Sequence, residues 1–258
     1  PMSMPEVFNT MGQKLGGRAT ITATAIGEES FPDLNGNGRF DVSEVTAFLG
    51  TDISGDKYDL KEVFVDHNED GLFNPEEGSD VNNSGLLEEF FDFNNNGTFD
   101  QSDGKYNGVL CSIPAHDACS AEQKSINISR SLVLVMSGST AYFTIASTGD
   151  ATADSSLINF EDNIVNIAGE NVGSASVIIA DLHNQPMPAG SVINFTATVG
   201  SIVGPSSFTW PSDNHNGGVE WGVSIKGEKE PKSGSLLVEV VTPSGLTTLF
   251  SGIAINIL

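Results

Sequence analysis

Basic residues are scarce in this chain: 11 Lys and Arg stand against 34 Asp and Glu, a formal net charge of −23 over 258 residues. Nucleic acids and anionic membranes are bound through Lys and Arg, so neither is an expected partner. Cysteine is limited to Cys111 and Cys119, with no CxxC pair and no Cys/His cluster of zinc-site spacing, which argues against structural zinc. No apolar run is long enough to span a bilayer, and no secretory leader is visible. With two Trp and three Tyr there is no aromatic stripe on which sugars would stack. GxSxG, HExxH and Cys/His nucleophile patterns are missing as well, and His67, His116, His183 and His215 sit in loops or turns, so no enzyme is expected. His67 should face solvent.

What is present is concentrated. Twenty of the acids lie between Glu28 and Asp103, offset by Arg39, Lys57 and Lys61 alone. Like charge at that density resists compaction unless counter-ions enter. The same stretch writes one pattern three times: DLNGNGRFDVSE (Asp33 to Glu44), DHNEDGLFNPEE (Asp66 to Glu77) and DFNNNGTFDQSD (Asp92 to Asp103). Oxygen-bearing side chains fall at positions 1, 3, 5, 9 and 12, Gly at 6 and Phe at 8. That spacing predicts EF-hand-like calcium loops, in which side chains and the position-7 carbonyl converge on one ion. The expected ligands are Asp33, Asn35, Asn37, the Arg39 carbonyl, Asp41 and Glu44; then Asp66, Asn68, Asp70, the Leu72 carbonyl, Asn74 and Glu77; then Asp92, Asn94, Asn96, the Thr98 carbonyl, Asp100 and Asp103. Three calcium ions follow, the third held more weakly because Asp103 is one methylene shorter than Glu. A fourth candidate loop begins at Asp80 but has Phe91 at position 12. Asp52, Ser54, Asp56 and Asp59 form an oxygen-rich run with no Gly at the turn and read as a solvated loop. Glu29, Glu62 and Glu88 stand four residues before the loops; they have the reach to complete neighbouring sites, but read rather as solvated charges. Phe40, Phe73 and Phe99, pairing on short bridges with Phe31, Phe64 and Phe90 behind, are expected to form one small core.

The loops lack the entering helix of an EF-hand, since Gly27 and Pro32 precede the first and a β-branched run the second. Their exits do resemble helix starts, with Asp41 or Asn74 as cap and a carboxylate three residues on. Outside this region the sequence reads as strand. Residues 16–27 alternate as a strand with one buried face, and the stretches around 126–147 read as its partners in a small sheet that carries the repeats (28–104) and a cysteine loop (111–119), together residues 1–147. Residues 148–156 read as a linker. Residues 157–258 hold seven candidate strands, at 163–168, 174–182, 191–199, 206–210, 218–226, 234–241 and 247–257, which predict an Ig-like β-sandwich with Trp210 and Trp221 as core or edge residues. A Cys111–Cys119 disulfide would suit an oxidising compartment and contribute ~2–3 kcal/mol.

The run VGSASVIIADLHNQPMPAGSVINFTATVGSI (Val172 to Ile202), a strand ending in Asp, a turn of x-N-x-P-x-P form and a V-x-F-T-A strand, resembles the bacterial Ig-like domains of invasin/intimin-type surface proteins. The GGRATITATAIG run resembles the last strand of such a domain, and the loops between look like calcium-binding insertions in secreted adhesins. The resemblance implies an extracellular or bacterial cell-surface location, a place within a longer parent chain, and a calcium-stiffened spacer that mediates adhesion. Its partners would be neighbouring domains of the parent and a cell-surface protein or glycan. The alternative is a dockerin-like or lectin-like carbohydrate- or protein-binding module accessory to a secreted enzyme.

Overall fold

Alternation of apolar and polar residues governs the C-terminal part of the chain. The computed structural model describes residues 17–75, 87–151 and 163–258, and these divide into two units. One comprises Leu134–Leu258 with the residues up to Ala19; the other is Thr20–Val133.

The first unit contains two sheets around one core. The five-stranded sheet is built from β6 (Ile164–Ile167), β8 (Val192–Ala197), β10 (Ser207–Thr209), β12 (Lys232–Val241) and β13 (Thr247–Ile257), in the order β10–β8–β12–β13–β6. The four-stranded sheet is built from β5 (Ala141–Gly149), β7 (Val172–Asp181), β9 (Ser201–Val203) and β11 (Val219–Lys226), in the order β5–β7–β11–β9. All pairs are antiparallel except β13 with β6. Every second residue turns inward: Leu236, Val238 and Val240 on β12, Ile253, Ile255 and Ile257 on β13, Val177 and Ile179 on β7. Burial of alternate Ile, Val and Leu at ~1.5–3 kcal/mol per side chain drives the two sheets together. Trp210 is buried in this core and Trp221 packs against it, as expected.

The seven strands read from the sequence are all present, within about two residues of their expected bounds. Two features differ. β9 is a short additional strand on the edge of its sheet. The stretch at 141–149, expected beside the N-terminal strand, instead pairs with β7 from Ala141 opposite Asp181 to Gly149 opposite Ser174. The sandwich therefore takes in residues read as part of the first domain and the start of the linker, and Ala151 continues it with a bridge to Ile167. The cause is composition: both β5 faces are mixed apolar and polar, and periodicity alone does not name a partner.

Lying mostly in the second unit, β1 (Arg18–Gly27) pairs among the described residues with β4 (Ile126–Val135) alone, forming a two-stranded ribbon. The expected buried face of Ala19, Ile21, Ala23 and Ala25 is not there, as Ile21, Ala23 and Ala25 are all exposed. Two strands alone have no second layer to cover them. The rest of the unit is irregular, with a 3-10 turn (Val42–Glu44), one short helix α1 (Val45–Phe48), and a two-residue ladder of β2 (Val63–Phe64) with β3 (Phe90–Phe91). Among the described residues no helix is long and apolar enough to cross a membrane.

The turn after β7 shows how a polar segment is fixed in the first unit. Asp181 is fully buried, and its carboxylate accepts the amides of Gly138 (2.6 Å), His183 (2.7 Å) and Gln185 (2.9 Å). Removing it strands three donors. Asp181→Ala is expected to lower unfolding free energy by about 2–4 kcal/mol in urea titration; a loss below ~1 kcal/mol would refute this account of the turn.

Candidate metal centre

Each predicted loop closes on its first aspartate. Asp33 Oδ2 accepts the Gly38 amide, Asp66 Oδ2 that of Gly71 and Asp92 Oδ2 that of Gly97, at 2.7, 2.8 and 2.7 Å. Gly at position 6 is required because φ there is +73°, +77° and +78°, a left-handed backbone that side chains resist. Position 5 then accepts the position-7 amide: Asn37 from Arg39, Asp70 from Leu72 and Asn96 from Thr98, each at 2.7 Å. No backbone N–H among the described residues donates to the position-7 carbonyls.

Positions 3, 5 and 9 converge. Asp41 Oδ2 accepts Nδ2 of Asn35 and of Asn37 at 2.8 and 2.7 Å, and Asp100 Oδ2 accepts Nδ2 of Asn94 and of Asn96 at 2.6 and 2.8 Å. In the second loop Asn74 Nδ2 reaches Asp70 Oδ2 at 3.0 Å, and Asn68 is wholly buried. The two asparagine donors hold the Asp41 carboxyl below the usual range. His67 is half-buried rather than solvent-facing, and desolvation lowers its basicity.

The twelfth position is where the structure departs from expectation. In the first loop it is Glu44, as predicted, carried on the 3-10 turn. Glu44 is fully buried and spans the loop, Oε1 taking the position-2 amide (Leu34, 2.7 Å) and Oε2 the position-9 amide (Asp41, 3.0 Å). In the second loop the same two bonds, to His67 (3.1 Å) and Asn74 (2.7 Å), are made by Glu88. Glu77, the predicted residue, lies outside the described residues, as does the part of the fourth candidate loop spanning 80–86. In the third loop the bonds to Phe93 (2.8 Å) and Asp100 (3.1 Å) are made by Glu62. Asp103 is not in that place; its Oδ1 accepts the Lys105 amide instead.

The exchange follows from register. In the β2–β3 ladder Phe64 opposes Phe90 and Val63 opposes Phe91. Continued by one residue at one end and two at the other, that antiparallel register sets Glu62 opposite Asp92 and Glu88 opposite Asp66. Each glutamate therefore serves the loop that follows the other strand. Glu29 makes the same pair of bonds, to the amides of Leu60 (2.8 Å) and Asn107 (2.7 Å). The three upstream glutamates, read as solvated, are 3 %, 5 % and 4 % exposed at Glu29, Glu62 and Glu88. Burial pushes the Glu88 carboxyl up, with Asp66 and Asp70 adding to it, and pushes Glu29 up to about 7. The signal was in the sequence: all three stand at the same distance before their loops.

Such a site suits a hard cation. A carboxylate has about four acceptor positions; each glutamate spends two on amides, one per oxygen, and keeps one per oxygen for an ion. Together with positions 1, 3, 5 and 7 this makes an all-oxygen set of the size calcium takes, about 6–8. Among the described residues no Lys or Arg forms an ion pair with a loop carboxylate; Arg39 reaches the Cys111 carbonyl and Lys61 the Gly71 carbonyl. Cys111, His116 and Cys119 also lie together, but the two sulfurs are joined as a disulfide and offer no thiolate to a metal.

The aromatic residues form two groups rather than one. Phe64, Phe73, Phe90 and Phe99 pack at centroid distances of 4.3–5.9 Å, behind the second and third loops. Phe31 and Phe40 pack instead with Phe48 and Tyr106. Position 8 of the first loop bridges not to another loop but to Cys111, and Tyr106 bridges to Cys119.

Glutamate exchange has a direct test. In Glu62→Ala, amide exchange at Phe93 and Asp100 is expected to accelerate about 10- to 100-fold by NMR, while His67 and Asn74 keep their protection. Loss of protection at His67 and Asn74 instead would show that Glu62 serves the loop following it in sequence.

Comparison with protein-family models, curated proteins and solved structures returns no match to this chain.

Proposed function

We propose that this chain is a calcium-binding structural module of a secreted or cell-surface, adhesin-like protein. In this reading the ions bind in the loops at Asp33, Asp66 and Asp92, with Glu44, Glu88 and Glu62 as their two-oxygen ligands. The sandwich of the first unit is an Ig-like domain, and the calcium unit is a stiff spacer joined to neighbouring domains of a parent chain that meets a surface protein or glycan. The observation that carries the reading is the glutamate carboxylate buried at the same two amides in every loop, with no Lys or Arg among the described residues paired to it.

Calcium then supplies the charge that the sequence lacks. Each site filled at ten times its dissociation constant stabilises the folded form by ~1.4 kcal/mol, or about 4 kcal/mol for three. Against a total of about 5–15 kcal/mol that is a large share. Sites of extracellular modules bind at about 10⁻⁴–10⁻³ M, so they fill outside cells and stay largely empty in cytosol. The Cys111–Cys119 disulfide fits the same location.

Thermal unfolding in EDTA and in millimolar calcium, with magnesium as control, tests the proposal. The expected result is a calcium-specific rise in Tm of the second unit with little change in the first. Superimposable melting curves in EDTA and calcium would sink it.

A further inference from the structure

The run Asp103-Gly104-Lys105-Tyr106-Asn107 repeats positions 5 to 9 of the three loops, with Tyr in the place of Phe. Nothing just before it supplies the first half: four residues upstream, where position 1 would fall, is Phe99. The fold brings that half from elsewhere. The Gly104 amide, at φ +75°, donates to Asp59 Oδ2 at 2.9 Å across 45 residues, as Gly38, Gly71 and Gly97 do to their own position-1 aspartates. The Lys105 amide donates to Asp103 Oδ1 at 2.9 Å, the bond that Arg39, Leu72 and Thr98 make in theirs. Leu60, the residue after Asp59, and Asn107 both donate to Glu29, so positions 2 and 9 are spanned by a buried glutamate here too.

An independent observation points to a missing ligand. Asp59 Oδ1 is shut off from solvent and accepts no hydrogen bond; the Asp103 amide is near enough to bias the carboxylate's charge but does not bond to that oxygen. A carboxylate oxygen shut off from water without a partner is unfavourable unless something positive meets it. Glu29, 3 % exposed, adds a second buried carboxylate to the same place. Lys57 acts on Asp59 through its charge but forms no ion pair with it among the described residues, and Lys61 is committed to the Gly71 carbonyl.

We propose a further calcium site, assembled from two distant segments, in which Asp59, Asp103, Asn107 and the Lys105 carbonyl each give one oxygen and Glu29 gives two. Those about six oxygens, completed by water, meet the needs of calcium. The proposal rests on the calcium reading of the three continuous loops and adds a site that no contiguous motif encodes. It also gives the Asp52–Asp59 run, read as a solvated loop, one ligand at its end.

Tyr58, next to Asp59, and Tyr106 allow this site to be read separately. Terbium takes calcium's place in oxygen sites, and a neighbouring tyrosine sensitises its emission where the loops with Phe do not. Two measurements on the full chain decide the matter: ions bound in calcium by native mass spectrometry, and terbium emission excited through tyrosine. The double variant Asp59→Asn, Asp103→Asn is expected to bind one ion fewer than the wild type. The variant Tyr58→Phe, Tyr106→Phe is expected to keep the wild-type ion count and lose most of the sensitised emission. An unchanged ion count in the aspartate variant, with the wild type binding calcium, overturns the split site and leaves the continuous loops standing. A wild type that binds no calcium overturns both. An aspartate variant that loses every ion has lost its fold; in that event the variant lacking both tyrosines decides, since undiminished emission overturns the proposal and lost emission at constant ion count supports it.

Discussion

A buried glutamate carboxylate bridging two loop amides is the constraint on which the second unit depends. Glu44, Glu62, Glu88 and Glu29 each bond once per oxygen to an amide just after a loop's first aspartate and to another at its ninth position. The two amides orient the carboxylate and offset part of its desolvation, but they do not neutralise it. Burial itself, with surrounding aspartates adding to it, works in the opposite direction, as the upward shift at Glu88 and Glu29 records.

Packing follows from those bridges. Glu62 and Glu88 draw the second and third loops together, and four phenylalanines close behind them. On the other side Phe31, Phe40, Phe48 and Tyr106 form a separate small core. Phe40 pairs with Cys111 and Tyr106 with Cys119, so a disulfide of sequence separation 8 ties together two position-8 aromatics that are distant in sequence. The cysteine loop therefore acts as a clamp on this core. In the first unit the apolar alternation of the strands is sufficient, and one buried aspartate, Asp181, fixes the turn after β7.

How much of this was legible in the sequence depends on the distance over which each pattern acts. Strands of the sandwich were readable because a period of two states burial within one segment; which sheet β5 joins was not, because partner choice is a long-range property. The first loop was readable through to Glu44 because all its parts are contiguous. The second and third were readable only to position 9: their glutamates come from across a ladder of two residue pairs, too short to announce itself by propensity. The spacing of Glu29, Glu62 and Glu88 was visible, yet exposed carboxylates are so common in acidic stretches that spacing alone did not reveal burial. Asp59 was harder still, since its loop is cut in two and its partner glycine is 45 residues away.

The crossed glutamates at the β2–β3 ladder also limit how such a segment can change length. A repeat that carries its own closing residue, as the one ending at Glu44 does, can be duplicated, deleted or moved alone. Repeats that close one another cannot: excising either the stretch around Glu62 or that around Glu88 removes one loop and leaves its neighbour open. Insertions and losses in this part of the chain must then come in twos, and the smallest piece that could be transplanted into another protein is the pair.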